Sequence, residues 1–225
     1  MKKTAFIILS VIVLNSFFLQ TALAQEKSIA QKVDSVLNLM TLDEKIGQLN
    51  QYNDDWTATG PMTIDTNKAR QIQGGKVGAL LNCMGTERIR NWQKVAMQSR
   101  LKIPLIFGQD VIHGYKTTFP IPLAEACSWD LDAIELSARV SATEASAGGI
   151  NWTFAPMVDI ARDPRWGRIM EGAGEDPCLA SKIAYARVKG FQGKQLGDTS
   201  SVMACAKHFA AYGAAMGEEI IIRST

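Results

Sequence analysis

Lys76-Val-Gly-Ala-Leu-Leu81, then Thr86-Glu-Arg-Ile-Arg-Asn-Trp-Gln-Lys-Val-Ala-Met-Gln-Ser-Arg100, then Pro104-Leu-Ile-Phe-Gly-Gln-Asp110: the reading of this passage decides the fold. The first and third runs are short, apolar and bounded by turn residues, which predicts buried strands over Val77–Leu81 and Pro104–Gly108. Between them, residues 86–100 read as a helix with Thr86 as its cap. The same alternation continues downstream. After a Pro-rich loop, Asp130–Ala147 reads as a helix capped by Asp130, and Ile150–Phe154 as a third strand. Residues 178–191 read as another helix, and Val202–Ala206 as a fourth strand ending at Lys207-His208. Upstream, Ile29, Val33, Val36, Leu37 and Met40 are spaced as on one face of a surface helix. Thr41-Leu-Asp-Glu44 has the form of a capping box that opens a second helix carrying Ile46 and Leu49, and residues 53–66, with Gly60-Pro61, read as a loop.

Strand and helix alternating at this pace imply parallel βαβ units, for which a closed (β/α)8 barrel and an open doubly wound sheet are the two solutions. In both folds the functional end is where the strands' C-termini lie, but a barrel gathers residues from several strands around one mouth. Asp110, residues 151–168 and Lys207-His208 all follow predicted strands, and no G-x-G-x-x-G follows the first. The expectation is an α/β fold of the (β/α)8 TIM-barrel type, with the first half or so present in this chain. Half a barrel has two unpaired strand edges and an unclosed core, which predicts that such a piece alone is unstable and inactive.

The 225-residue chain has a formal charge of +2 with Lys and Arg scattered along it, so neither nucleic acid nor an anionic membrane surface is indicated as a partner. Lys2-Lys3, the apolar run that follows and Ala22-Leu23-Ala24 read as a signal peptide over residues 1–24, cleaved before Gln25. That predicts a periplasmic or secreted protein with no membrane segment once the signal is removed. Cys83, Cys127, Cys178 and Cys205 lack C-x-x-C spacing, which argues against zinc and for mostly free, buried thiols.

The chemistry concentrates in Gly149-Ile-Asn-Trp-Thr-Phe-Ala-Pro156-Met-Val-Asp-Ile-Ala-Arg-Asp163-Pro-Arg-Trp-Gly-Arg168 and the following Glu171-Gly-Ala-Gly-Glu-Asp-Pro177. A long loop this rich in Asp, Arg and Trp after an apolar strand suits sugar recognition, in which carboxylates and guanidinium groups bond hydroxyls and aromatic faces stack on the ring. The competing reading is an ion-pair network that braces the loop, and it is the favoured one for Arg162, Asp163 and Arg165 individually.

Residues 151–177, Lys207-His208-Phe209, Asp110-Val-Ile-His-Gly114, Met40-Thr-Leu-Asp-Glu-Lys-Ile-Gly-Gln48, Phe119-Pro-Ile-Pro122 and Trp129-Asp130 together resemble glycoside hydrolase family 3, in the family's order and up to about Gly217. The likeness is to β-glucosidases of the bacterial periplasm. It implies that Asp110, Arg168, Lys207 and His208 hold the sugar in the cleaved subsite, that β-glucosides or oligosaccharides are the substrates, and that no cofactor takes part; no metal ligands are assigned. Each role is chemically sensible: Asp110 can accept from two hydroxyls, and Arg168 and Lys207 can donate. Whether His208 donates or accepts depends on its tautomer. His113 reads as a residue behind these.

The resemblance implies retaining hydrolysis of non-reducing terminal β-D-glucosyl residues by a carboxylate nucleophile and an acid/base carboxylate. The family's nucleophilic Asp and acid/base Glu are expected beyond residue 225, so no residue of this chain is assigned as catalytic, and Glu171, Glu175 and Asp176 are read as parts of a structural loop. A non-catalytic sugar-binding fragment and a β-xylosidase are the alternatives. Lys-His-Phe continues here into Ala210-Ala-Tyr-Gly-Ala214 rather than the Pro-Gly-His-Gly of hexosaminidase members. The domain expected is 25–217. Residues 218–225, Glu-Glu-Ile-Ile-Ile-Arg-Ser-Thr, depart from the family pattern, and a one-base deletion in plausible codons for Gly-Gly-Arg-Asp-Tyr-Asn would give Gly217 to Ile222, so a reading-frame shift is the expectation there.

Overall fold

The computed structural model describes residues 27–54, 67–209 and 211–215. The signal segment, the Gly60-Pro61 loop and the tail 218–225 lie outside the described residues. The chain divides into two compact units, residues 1–41 and residues 42–225.

In the first unit, helix α1 (Ile29–Leu37) begins at a capping box: Ser28 accepts from the Gln31 backbone while the Gln31 side chain accepts from the Ser28 N–H.

The second unit runs α2 (Leu42–Gln48), β1 (Gln51–Asn53), α3 (Lys68–Gln73), β2 (Ala79–Leu81), α4 (Thr86–Ala96), β3 (Ile106–Gln109), α5 (Pro122–Ser128), α6 (Leu131–Ala147), β4 (Trp152–Thr153) and α7 (Pro177–Gln192), with short 3-10 turns at Ile169–Glu171 and Tyr212–Ala214. The four strands lie side by side in chain order and all pair in parallel, with Leu80 opposite Phe107 and Gly108 opposite Trp152. A doubly wound sheet reverses its strand order at a switch point. Among the described residues no reversal occurs, and the sequential parallel order is that of a (β/α)8 barrel, of which this chain forms part.

Several local expectations need correction. Thr86 is not the cap of α4: it is the first helical residue, and Gly85 at φ 93° takes the cap position with no side-chain bond, because the chain enters the helix from a left-handed turn that glycine tolerates. The helix also stops at Ala96 rather than residue 100. Residues 202–206 form no named strand. Instead, two isolated parallel bridges, Trp152 with Met203 and Met157 with Lys207, run that segment beside β4. The "Pro-rich loop" contains α5, with Pro122 at its first turn, where the missing N–H costs nothing. None of the four cysteines is in a disulfide, but only Cys83 is buried and Cys127 and Cys178 are exposed. On α5, Ala126 faces the core, so its neighbour Cys127 is rotated to solvent.

The main core lies between sheet and helices: Leu80, Phe107, Ile150 and Val202 pack with Ile72, Ile89, Ala138, Ala142 and Phe191. Each fully buried large side chain of this set contributes roughly 1.5–3 kcal/mol. Helices α6 and α7 approach closely because Gly190 has no side chain. A Cβ there would stand 2.7 Å from that of Ala138.

Candidate functional site

Asp110 follows directly on β3, and the segment after it is fixed from several sides. Thr153 Oγ1 of β4 accepts from the Val111 N–H at 3.2 Å, and Arg187 of α7 donates to the carbonyl of Ile112. His113 Nδ1 lies 3.1 Å from the Phe119 carbonyl, and the Phe119 N–H returns a bond to the His113 carbonyl. Gly114 closes this turn at φ 119°, where a side chain would be strained. Thus His113 ties the turn after Asp110 to Phe119.

Lys207 is aligned by backbone bonds to the segment after β4: its N–H donates to the Pro156 carbonyl at 3.1 Å and its carbonyl accepts from Val158 at 2.6 Å. That alignment delivers its ammonium group to Asp110, with Nζ 2.9 Å from Oδ1. The two side chains are only 14% and 24% exposed, so the pair is partly shielded from water. The peptide between Lys207 and His208 is cis.

Arg168 and His208 form the second pair, with Nη1 3.4 Å from Nε2. Arg168 makes a two-point fork on Glu171, Nε to Oε1 at 2.6 Å and Nη2 to Oε2 at 2.5 Å. That charge-assisted fork raises the Arg168 pKa above its ordinary value, against the lowering effect of burial. On its far side, His208 is held by Asp159: Oδ2 lies 2.8 Å from Nδ1 and accepts the His208 backbone N–H at 3.1 Å. Tyr212 backs both members. Its ring lies 5.5 Å from the Arg168 guanidinium and meets the His208 ring edge to face at 4.8 Å. Trp166, fully buried, supports Tyr212 in turn at 5.3 Å.

All four residues predicted from the sequence therefore come together, as two hydrogen-bonded pairs that meet at consecutive residues 207 and 208. Two partners were missed. Glu171, read as loop structure, is the carboxylate that orients Arg168, and Asp159 orients His208. A signal existed for both, since each stands in the same charged stretch as Arg168, but a carboxylate that acts through another side chain has no local signature. For Asp163 and Arg165 the bracing reading agrees with the geometry: Arg165 Nη2 sits 2.6 Å from Asp163 Oδ2, and the Arg165 backbone N–H also donates to that carboxylate.

The cluster lies apart from the larger of the two cavities described, a space of about 540 Å3 lined by Ile46, Leu49, Asn50, Tyr52 and Lys76 beside α2 and β1. Among the described residues no helix is long and apolar enough to cross a membrane.

The family described as "Glycosyl hydrolase family 3 N terminal domain" matches residues 41–220. A periplasmic β-glucosidase of Salmonella typhimurium is 49% identical over 186 residues, which are 82% of this chain and 24% of that protein. An Arabidopsis thaliana protein named β-D-xylosidase 3 is 35% identical over 82% of this chain and 22% of its own length. Among solved structures, a β-glucosidase from Listeria innocua in complex with isofagomine superposes with a TM-score of 0.74 at 45% identity, over 82% of this chain and 26% of that one. The chain thus spans about a quarter of the length of the relatives it matches. It belongs to glycoside hydrolase family 3, whose N-terminal barrel domain it carries in part.

Proposed function

We propose that this chain supplies the sugar-holding side of a β-glucosidase-type retaining hydrolase that removes terminal β-D-glucosyl residues. In this reading, Asp110, Lys207, Arg168 and His208 grip the hydroxyls of the glucosyl unit. One observation carries it: Asp110 and Arg168, 58 residues apart in sequence, are each hydrogen-bonded to one of the consecutive residues Lys207 and His208, beyond the C-terminal ends of the parallel strands. A carboxylate, an ammonium, a guanidinium and an imidazole at one mouth offer both acceptors and donors, which is what a polyhydroxylated ring requires. Substrate hydroxyls would exchange bonds with partners that are already oriented, so the site needs little reordering on binding.

The nucleophile and the acid/base carboxylate are proposed to come from family segments outside this sequence. The barrel portion is proposed to span 25–217, with a cleaved signal before it and a periplasmic or secreted location. The decisive experiment compares hydrolysis of p-nitrophenyl β-D-glucoside by the 225-residue chain with that by the same chain joined to the later segments of the periplasmic relative. Turnover by the joined protein alone is expected. Turnover by the 225-residue chain would place a catalytic carboxylate within it and overturn this assignment of roles. A β-xylosidase is the second reading, favoured by the xylosidase among the relatives, and p-nitrophenyl β-D-xyloside in the same assay separates the two.

A further inference from the structure

Asp159 is buried, with its side chain 2% exposed, and a single oxygen of its carboxylate receives both the backbone N–H and Nδ1 of His208. An ionised carboxylate only accepts, so Nδ1 bears the proton. Across the ring, Nε2 faces Arg168 Nη1 at 3.4 Å. A guanidinium only donates, so Nε2 presents its lone pair. We infer that Asp159 is a positioning residue that fixes His208 as the neutral Nδ1–H tautomer, so that His208 meets a ligand only as a hydrogen-bond acceptor beside a donating Arg168.

This is the opposite of the tautomer that an unconstrained imidazole prefers, and the surroundings of the ring maintain it. Asp159 holds the imidazole at two points, and the edge-to-face contact with Tyr212 limits its rotation. Arg168 is held in place by Glu171, so it cannot swing away to admit a proton at Nε2.

The tautomer selects the group that fits. At 3.4 Å the Arg168–His208 contact is long for a hydrogen bond, and a hydroxyl oxygen can take its place by accepting from Nη1 and donating to Nε2. Fluorine or an ether oxygen accepts but cannot donate, so either would leave the His208 lone pair facing another acceptor. The pair is therefore a reader of free hydroxyls. This selectivity rests on the sugar-binding reading above, whereas the tautomer itself does not.

The chain has two histidines, so long-range 1H–15N NMR of the imidazole rings shows two spin systems, and His113→Gln assigns them. At neutral pH the expected result for His208 is a protonated, pyrrole-type Nδ1 and a pyridine-type Nε2. Asp159→Ala should move the ring toward the Nε2–H form with unchanged far-UV circular dichroism. Asp159→Asn, whose amide oxygen still accepts, should keep Nδ1–H. An Nε2–H or doubly protonated ring in the wild type overturns the inference, as does an Nδ1–H form that survives Asp159→Ala. If the alanine variant does not fold, the wild-type spectrum decides alone.

A ligand series of singly deoxyfluorinated glucoses is the second readout. One position should lose about tenfold in affinity relative to glucose. Equal binding of all the fluorinated sugars would refute the hydroxyl reader. Failure of glucose itself to bind would refute the sugar-binding reading and leave the tautomer result standing.

Discussion

Removing Glu125 alone should damage this fold far more than removing Glu125 and Arg187 together. Arg187 of α7 and Glu125 of α5 are nearly sealed from water, their side chains 5% and 7% exposed, with Nη1 2.6 Å from Oε2. Burial lowers the Arg187 pKa and the Glu125 charge opposes that shift, so the pair is held by mutual compensation. Glu125→Leu leaves a buried guanidinium with the Ile112 carbonyl and the Phe191 ring as its remaining contacts. Breaking a buried pair in this way costs about 3–5 kcal/mol. In Glu125→Leu/Arg187→Met both charges are gone and apolar volume replaces them, which is neutral or stabilising in comparable cases. The Ile112 carbonyl then loses its donor, at a cost of roughly 1–3 kcal/mol. The double variant should therefore be more stable than Glu125→Leu by about 2 kcal/mol. Urea unfolding of the four proteins of the cycle, followed by circular dichroism, measures this. Additive single effects of less than about 1 kcal/mol each would refute the reasoning.

Glu171→Gln keeps an acceptor for Arg168 but removes the charge of the fork, so binding of gluconolactone should weaken by roughly tenfold with little change in melting temperature, as calorimetric titration and thermal unfolding can check. Asp54 lies 2.5 Å from Arg88 Nε and 3.5 Å from Lys68 Nζ. Burial pushes its pKa up, but bonds from Arg88 and Cys83 outweigh that and hold it below the ordinary carboxylate value. A carboxyl depressed on folding stabilises the native state above its unfolded pKa, and that contribution fades as pH falls through the depressed value. Asp54→Asn should therefore flatten the acid limb of a stability–pH profile while lowering stability at neutral pH. Cys83 beside it has its thiol pushed up to about 12 by burial and by Asp54, so thiol-specific reagents at neutral pH should label Cys127 and Cys178 first and Cys83 last by mass spectrometry.

The barrel class was legible because the strands read as unbroken apolar runs, as in Val77–Leu81, which is largely buried, and Pro104–Gly108, in which Ile106 is exposed. β1 was not legible: Gln51-Tyr-Asn53 is short and polar, and its pairing with β2 defines it rather than any run of its own. α3, six residues long with Ile72 as its one large apolar residue, falls below the length at which helical periodicity shows. Pro122 at the first turn of α5 was a start signal that the neighbouring prolines hid. In the site, Asp110 and Lys207-His208 stood out because each follows a predicted strand, although residues 202–206 form only isolated bridges, and their sugar-holding roles were implied by the family resemblance. Arg168 was found by resemblance, and its placement depends on Glu171, which only the folded loop reveals.

The central claim is that Asp110, Lys207, Arg168 and His208 form one sugar subsite. Its most direct test is a calorimetric titration of the chain, joined to the later segments of the periplasmic relative, with D-gluconolactone, beside Asp110→Ala and Lys207→Met variants of the same joined protein shown by circular dichroism to be folded. The account predicts saturable binding by the wild type that both substitutions abolish. Binding that survives both, or no saturable binding by the wild type, would contradict it.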